Sequence, residues 1–382
     1  MPNVLPRPLH RKRAPEPDRA GVVVITGASS GIGRCTAGLF AQRGWRVGLI
    51  ARSEVGLQAA QADVKTWGMT AAIAPADVTE PDALEAAAAA IETALGPADV
   101  WVNCAGNGTY GRFLDTPPEE FRRVTDVTYI GTANGTRVAL RRMMPRDRGC
   151  IVNVCSAVAY HGMPLLSSYS GAKHAVRGFD QSIRAELRQE GSRVRITTVL
   201  PPSVNTPFFD HAPTYMGLPG RPIPPVYQPE MVAEAIYLAA TSRRREMPLS
   251  FTTLLFSLAA RFTPRLLDRA IRQLGYAGQL TNGEAALVRH EPTLFHASLR
   301  ASPSHGGFDA EARRGSLHVR LLCWAARFGP SRRRAVTAAA ASPPQPAPNT
   351  CASRPRVEDS TALASAESRA RGLGATATRS LT

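Results

Sequence analysis

The sequence predicts an α/β fold of three layers with a doubly wound parallel sheet in the middle. Three observations carry this reading. From residue 21 onward, short runs rich in β-branched residues alternate with longer segments of helical periodicity; the short runs are apolar on both faces; and the first of them leads directly into a Gly-rich turn that opens a helix. Strands apolar on both faces have to be covered on both sides, and strands separated by helices join through right-handed crossovers, so the sheet is parallel and lies between two helical layers.

The elements follow in order. VVVIT at 22–26 is the first strand, then a helix over 31–43; RVGLIA at 46–51 precedes a helix over 54–67, and TAAIAPA at 70–76 one over 81–95. DVWVNCA at 99–105 leads to a helical stretch over 119–144, CIVNVCS at 150–156 to one over 169–190, and VRITTVL at 194–200 closes the series. Eight prolines between residues 201 and 225 oppose any long regular element, so 201–227 reads as a long loop of lid type. A helix at 229–241 completes a domain spanning 21–245. Amphipathic stretches at 249–261 and 264–274 define a helical extension, 246–311, packed on the domain or at an interface. The ends, 1–20 and the Arg/Ala/Pro/Ser-rich 312–382, lack apolar periodicity and read as disordered tails.

A net charge of +16 raises the question of nucleic acid. Residues 313–382 hold 12 arginines and three acids, and residues 1–20 five basic and two acidic residues, which leaves the body between them only +4. That distribution favours solvated tails over a built nucleic-acid surface, and no zinc-finger spacing or RNP-like motif argues otherwise. The six cysteines show no C-x-x-C pair and no ligand spacing with histidine, so neither a disulfide framework nor a metal site is expected, and a reducing, cytoplasmic setting fits. The basic N-terminus lacks the apolar core of a signal peptide. The longest apolar candidate, MPLSFTTLLFSLAA at 247–260, stops at Arg261; its preferred reading is a core or interface helix rather than a membrane-surface contact.

Chemistry enters with the Gly-rich turn TGASSGIG at 26–33. Gly27, Gly31 and Gly33 let the backbone turn tightly and approach a pyrophosphate, whose charge meets the N–H groups of Ser29, Ser30, Ile32 and their neighbours at the helix start. A turn of this kind after the first strand of a βαβ series is the nucleotide site of a Rossmann-type fold. A second lead is compositional: only three lysines stand among 43 arginines, and one of them, Lys173, lies four residues after Tyr169, on the same helical face. An ammonium beside a phenol favours the phenolate and lowers its pKa, which suits a general acid and base. Ser156 ends the fifth strand, at the carboxyl edge where open α/β folds place ligands, and its hydroxyl can polarise a substrate oxygen.

Taken together, these motifs resemble the short-chain dehydrogenase/reductase family over residues 20–245. The 26–33 turn is similar to its cofactor turn, Asp77-Val78 to its adenine-contacting pair, and Asn103-Cys104-Ala105-Gly106 to its N-N-A-G segment with cysteine at the second position. Ser156 and Tyr169-x-x-x-Lys173 complete the series. The resemblance implies that Lys173 also holds the nicotinamide ribose, a task for which a compact ammonium suits better than a guanidinium fork. It implies a nicotinamide contact at Thr206 and puts Thr128, within VTYIG, where the family has its catalytic Asn. Threonine can donate and accept there, but it is shorter.

After the second strand, Ala51-Arg52 replaces the acid that usually binds the ribose of NAD, so Arg52 is expected to clamp a 2′-phosphate and NADP(H) is preferred over NAD(H). The expectation is thus an oxidoreductase interconverting a small-molecule carbonyl and alcohol, assembled as a homo-oligomer. Phe208, Phe209, Tyr215, Met216 and Tyr227 either line an apolar substrate site or anchor the Pro-rich loop. Two rival readings stand beside it: a cofactor-binding scaffold or regulator with weakened catalysis, favoured by Thr128, and a nucleic-acid- or membrane-associated protein acting through its basic ends.

Overall fold

The computed structural model describes residues 21–281 and 290–328. Seven parallel strands form one sheet in the order β3-β2-β1-β4-β5-β6-β7: β1 Val22–Thr26, β2 Arg46–Ala51, β3 Ala71–Pro75, β4 Val100–Asn103, β5 Cys150–Val154, β6 Arg195–Leu200 and β7 Glu246–Pro248. The strand order reverses between β1 and β4, where Thr26 pairs with Asn103, and a crevice opens at such a switch point beyond the carboxyl ends of the strands. β7, only three residues long and directly after the arginine run 243–245, is too short to leave a period in the sequence.

Helices cover both faces. α1 (Gly31–Gln42), α2 (Glu54–Thr66) and α8 (Pro229–Thr241) close one apolar layer, in which Phe40, Leu49, Leu57 and Val232 are fully buried. On the other face α3 (Pro81–Leu95), α5 (Gly131–Met143) and α6 (Ser167–Gln189) pack over Val24, Trp101 and Ile151. Local chemistry sets their starts: Pro81 opens α3, and the Ser53 hydroxyl caps α2 by accepting from the Gly56 N–H. The stretch expected as one helix over 119–144 is α4 (Pro118–Thr125), a π-helical turn at Asp126–Ile130, and α5. Thr128 sits in that turn, and π-turns inside helices gather at functional sites.

The Pro-rich segment 201–227 contains only the short α7 (Phe208–His211), and isolated bridges tie it down, Tyr110 to Thr214 and Val204 to Tyr227. The extension is helical in α9 (Phe251–Phe262) and α10 (Pro264–Leu274), and residues 290–308 then run without regular structure across the carboxyl edge of the sheet. Disorder throughout 312–382 is corrected at its start. Leu317–Phe328 forms a helix, α11, whose Val319 is buried in the layer under α8. Its apolar run, LHVRLLCWAARF, is short and is masked by the Arg/Ala-rich composition that surrounds it. Residues 1–20 and 329–382 lie outside the described residues.

Candidate active site

A cavity of about 460 Å³ runs along the carboxyl edge of the sheet. Its lining includes the 27–33 turn, Arg52, Asp77 and Val78 at one end, and Ser156, Tyr169 and Lys173 at the other, with Cys104, Ala105, Gly106 and Thr206 between. Strands β4 and β5 end two residues earlier than their apolar runs suggest, and this places Cys104–Gly106 and Ser156 in loops beyond the sheet, facing the crevice.

The glycine turn is held against β4. Gly27 has φ +68°, and a Cβ there would stand 2.7 Å from the Ala105 backbone. Thr26 fixes the same approach, its hydroxyl accepting from the N–H groups of Cys104 and Ala105. At Gly33 a Cβ would meet the Gly27 carbonyl oxygen at 2.2 Å, so the helix starts directly on the turn. Ser30 occupies the N-cap position of α1 without a side-chain capping bond. Thr206 reaches Gly31 from the Pro-rich segment, with its Cβ 3.3 Å from where a Gly31 Cβ would lie.

At the inner end, Lys173 is 4% exposed and donates through Nζ to the Val154 carbonyl at 2.8 Å. Its Nζ lies 5.5 Å from the Tyr169 ring centroid. Burial lowers the Lys173 pKa, and burial also pushes the Tyr169 phenol well above its usual value, against a hydrogen bond with Ser156 that works the other way. In this arrangement burial dominates the phenol, and the Lys173 ammonium is not among the groups that lower it. Desolvation is the largest cause of the shift, and the ammonium is turned toward the Val154 carbonyl. Ser156 accepts weakly from the Val158 N–H at 3.4 Å, and Phe208 packs on Tyr169 with ring centroids 5.2 Å apart.

Thr128 is fully buried, and its hydroxyl both donates to the Asn107 carbonyl and accepts from the Asn107 N–H, at 3.2 and 3.3 Å. It thereby braces the 103–107 loop beside Gly106, where a Cβ would come within 3.7 Å of both Lys173 Nζ and Thr128 Oγ1. Asn103 departs from its expected role. Its side chain does not line the cavity but points into the core, accepting from the Trp101 indole and donating to Thr136 and Asn153. Strand alternation turns it away from the crevice, and Asn153 continues the chain to Asp180.

The outer end holds features the sequence did not disclose. Asp77 accepts from Arg123 at 2.5 Å and from both the N–H and the hydroxyl of Thr79. Arg123 carries no signal that sets it apart from the other arginines. Residues 293–303 form a strap across this end. Arg52 donates to the carbonyls of Thr293 and Leu294, Ser53 to that of Ser298, and the Gly31 N–H to that of Pro303. Of the loop aromatics, Phe208 and Phe209 line the cavity; Tyr227 is buried in the core and Tyr215 bonds Glu120 at the surface.

A Rossmann-type sheet, a glycine turn at its switch point and a Ser-Tyr-Lys set in one cavity define a class, and the comparisons with known proteins name it. Residues 21–215 match the family signature of short chain dehydrogenases. The chain is 36% identical over 279 residues to the uncharacterized oxidoreductase YxnA of Bacillus subtilis, covering 72% of this chain and 78% of that protein. It is 35% identical over 245 residues to the probable oxidoreductase EphD of Mycobacterium tuberculosis, of whose length it spans 41%. Among solved structures, an actinorhodin polyketide ketoreductase with NADPH aligns with a TM-score of 0.54 at 28% identity, covering 61% of this chain and 96% of that one. A short chain dehydrogenase from Mycobacterium paratuberculosis bound to NAD shares the fold, with a TM-score of 0.53 at 24% identity over 60% of this chain and 95% of that one. The chain belongs to the short-chain dehydrogenase/reductase family. It is an oxidoreductase of the type that acts on alcohol and carbonyl groups with a nicotinamide cofactor.

Proposed function

We propose that the protein is an NADP(H)-dependent oxidoreductase that interconverts a carbonyl and an alcohol on an apolar substrate. The observation that carries this reading is one cavity joining Arg52 and the glycine turn at one end to Ser156, Tyr169 and Lys173 at the other. The cradle fits a dinucleotide: Gly27, Gly31 and Gly33 bring the backbone close, and the missing side chain at Gly106 leaves room beside Lys173. When bound, the cofactor supplies or accepts the hydride.

The chain's own residues do the rest. Ser156 donates to the substrate oxygen, and Tyr169 gives its phenolic proton to the alkoxide in reduction or takes one in oxidation. Lys173 turns its ammonium from Val154 toward the cofactor ribose and the phenol. Thr128, which stands where the family has an Asn side chain, acts by holding the Asn107 backbone. Arg52 and Ser53 serve the 2′-phosphate, and Gly31 with Ser29, Ser30 and Ile32 the pyrophosphate, so the strap at 293–303 gives up its carbonyl contacts there. Met163, Leu166, Phe208, Ile223 and Phe256 give the substrate end an apolar wall.

The test is a screen of long-chain and cyclic ketones, aldehydes and alcohols followed by NADPH absorbance. Turnover of an apolar carbonyl supports the reading. Tight NADPH binding with no turnover across the screen would favour the second reading, a cofactor-binding regulator, for which Thr128 at the Asn position is the specific observation.

A further inference from the structure

Helix α9 is built inside out. Phe251, Leu255, Leu258 and Phe262 follow i, i+4, i+7, i+11 spacing and form one stripe, yet they are 50, 68, 46 and 71% exposed. The buried face carries Thr253, whose N–H donates to the capping hydroxyl of Ser250, while Phe256 lines the cavity. Leu266 extends the exposed surface into α10 at 64%. Of the two expected settings, core or interface, the core one does not hold: the apolar side that periodicity assigns to the interior faces outward.

The charge beside this stripe selects a partner. Arg261, Arg265, Arg269 and Arg272 are all exposed on α9 and α10, against one acid, Asp268, which is paired with His161 at 3.0 Å. Phe and Leu flanked by arginines are the pattern of a helix lying in a lipid interface, apolar side chains at the acyl boundary and guanidinium groups among headgroup phosphates. No helix among the described residues is long and apolar enough to cross a membrane. Two copies meeting through this face would set arginine against arginine without acids to answer them, whereas an anionic bilayer supplies the complementary charge.

We propose that α9 and α10 dock on the surface of an anionic lipid bilayer. Docking holds the cavity against the membrane, because Thr252, Thr253 and Phe256 of the same helix line it. The proposal does not depend on which reaction the site performs.

The experiment is co-sedimentation of the full chain with phosphatidylcholine vesicles, with and without phosphatidylglycerol. Wild type is compared with Leu255→Asp/Phe262→Asp and with Arg265→Gln/Arg269→Gln, none of which lines the cavity; thermal transitions confirm that each variant folds. The wild type is expected to bind the anionic vesicles about tenfold or more tightly than neutral ones. The aspartate pair should lose about tenfold or more of that binding, and the glutamine pair should bind more weakly and with a shallower salt dependence. Undiminished binding by the aspartate pair would overturn the proposal by assigning the lipid contact to the basic termini. No vesicle binding by the wild type, with a dimer that the aspartate pair disperses, would overturn it by making the stripe a subunit contact. If the wild type neither binds vesicles nor self-associates, the proposal also falls.

Discussion

Arg52 donates to the carbonyl of Thr293 at 2.6 Å, across 241 residues of chain. The residue proposed to read a 2′-phosphate thus already has a partner, one uncharged and on a strap that also takes the Gly31 N–H and the Ser53 hydroxyl. A phosphate dianion holds a guanidinium more strongly than a carbonyl does, since it adds full opposite charge and a two-point, bidentate geometry.

Arg52→Asp is accordingly expected to move preference from NADPH toward NADH by about 1–3 kcal/mol, the range for a hydrogen bond to a charged group. Calorimetric titration of both cofactors measures it. In the wild type, amide exchange at 293–303 should rise when NADPH binds. An unchanged affinity ratio would place Arg52 in service of the strap alone.

Two glycines separate the cost of the turn from general helix propensity. Gly27→Ala adds a Cβ at φ +68° and 2.7 Å from the Ala105 backbone, and should destabilise by about 2 kcal/mol or more while weakening cofactor binding. Gly178→Ala, in α6 with nothing within 4 Å of its Cβ, should stabilise by about 0.5–1 kcal/mol. Urea unfolding of both variants checks the pair, and a neutral Gly27→Ala would mean that the turn tolerates side chains.

Asp180 is fully buried between Asn153 and Thr198, and burial pushes its carboxyl up to about 6. Its value is raised on folding, so its contribution is fully present below the unfolded value of about 4 and is lost as pH rises through 6, a penalty of roughly 2–3 kcal/mol by neutrality. Asp180→Asn stays neutral throughout. Its Tm relative to wild type should climb between pH 4 and 7, and a constant difference would show that Asp180 does not change protonation on folding.

The strands and the order of the motifs were legible because both-face apolar runs such as Val22–Thr26 and glycines at fixed offsets are local signals. The direction of one side chain was not: Asn103 lies in a motif that reads as cofactor contact, yet its amide is held in the core by Trp101 and Asn153. The strap was invisible because its bonds come from backbone carbonyls at Thr293, Ser298 and Pro303, which no residue type announces. α9 misled for another reason. Its period correctly announced a helix with one apolar face, but periodicity does not say whether that face meets protein or lies open. The protonation energetics of Tyr169 were likewise out of reach, since they depend on how deeply the cavity buries the phenol.

The central claim is that Tyr169 is the acid and Lys173 its indispensable neighbour, and kcat/KM for carbonyl reduction against pH tests it most directly. Because burial raises the phenol's pKa, the phenol keeps its proton through neutral and mildly alkaline pH and the wild-type rate should hold there, falling at higher pH as Lys173, whose pKa burial lowers, gives up its charge. Tyr169→Phe should abolish turnover while still binding NADPH. Lys173→Arg keeps the charge but brings a bulkier group to a site 4% exposed, and should lose about a hundredfold through misplacement. Turnover at the wild-type rate in Tyr169→Phe would contradict the assignment of the acid, and an unchanged profile in Lys173→Arg would contradict the role given to the ammonium.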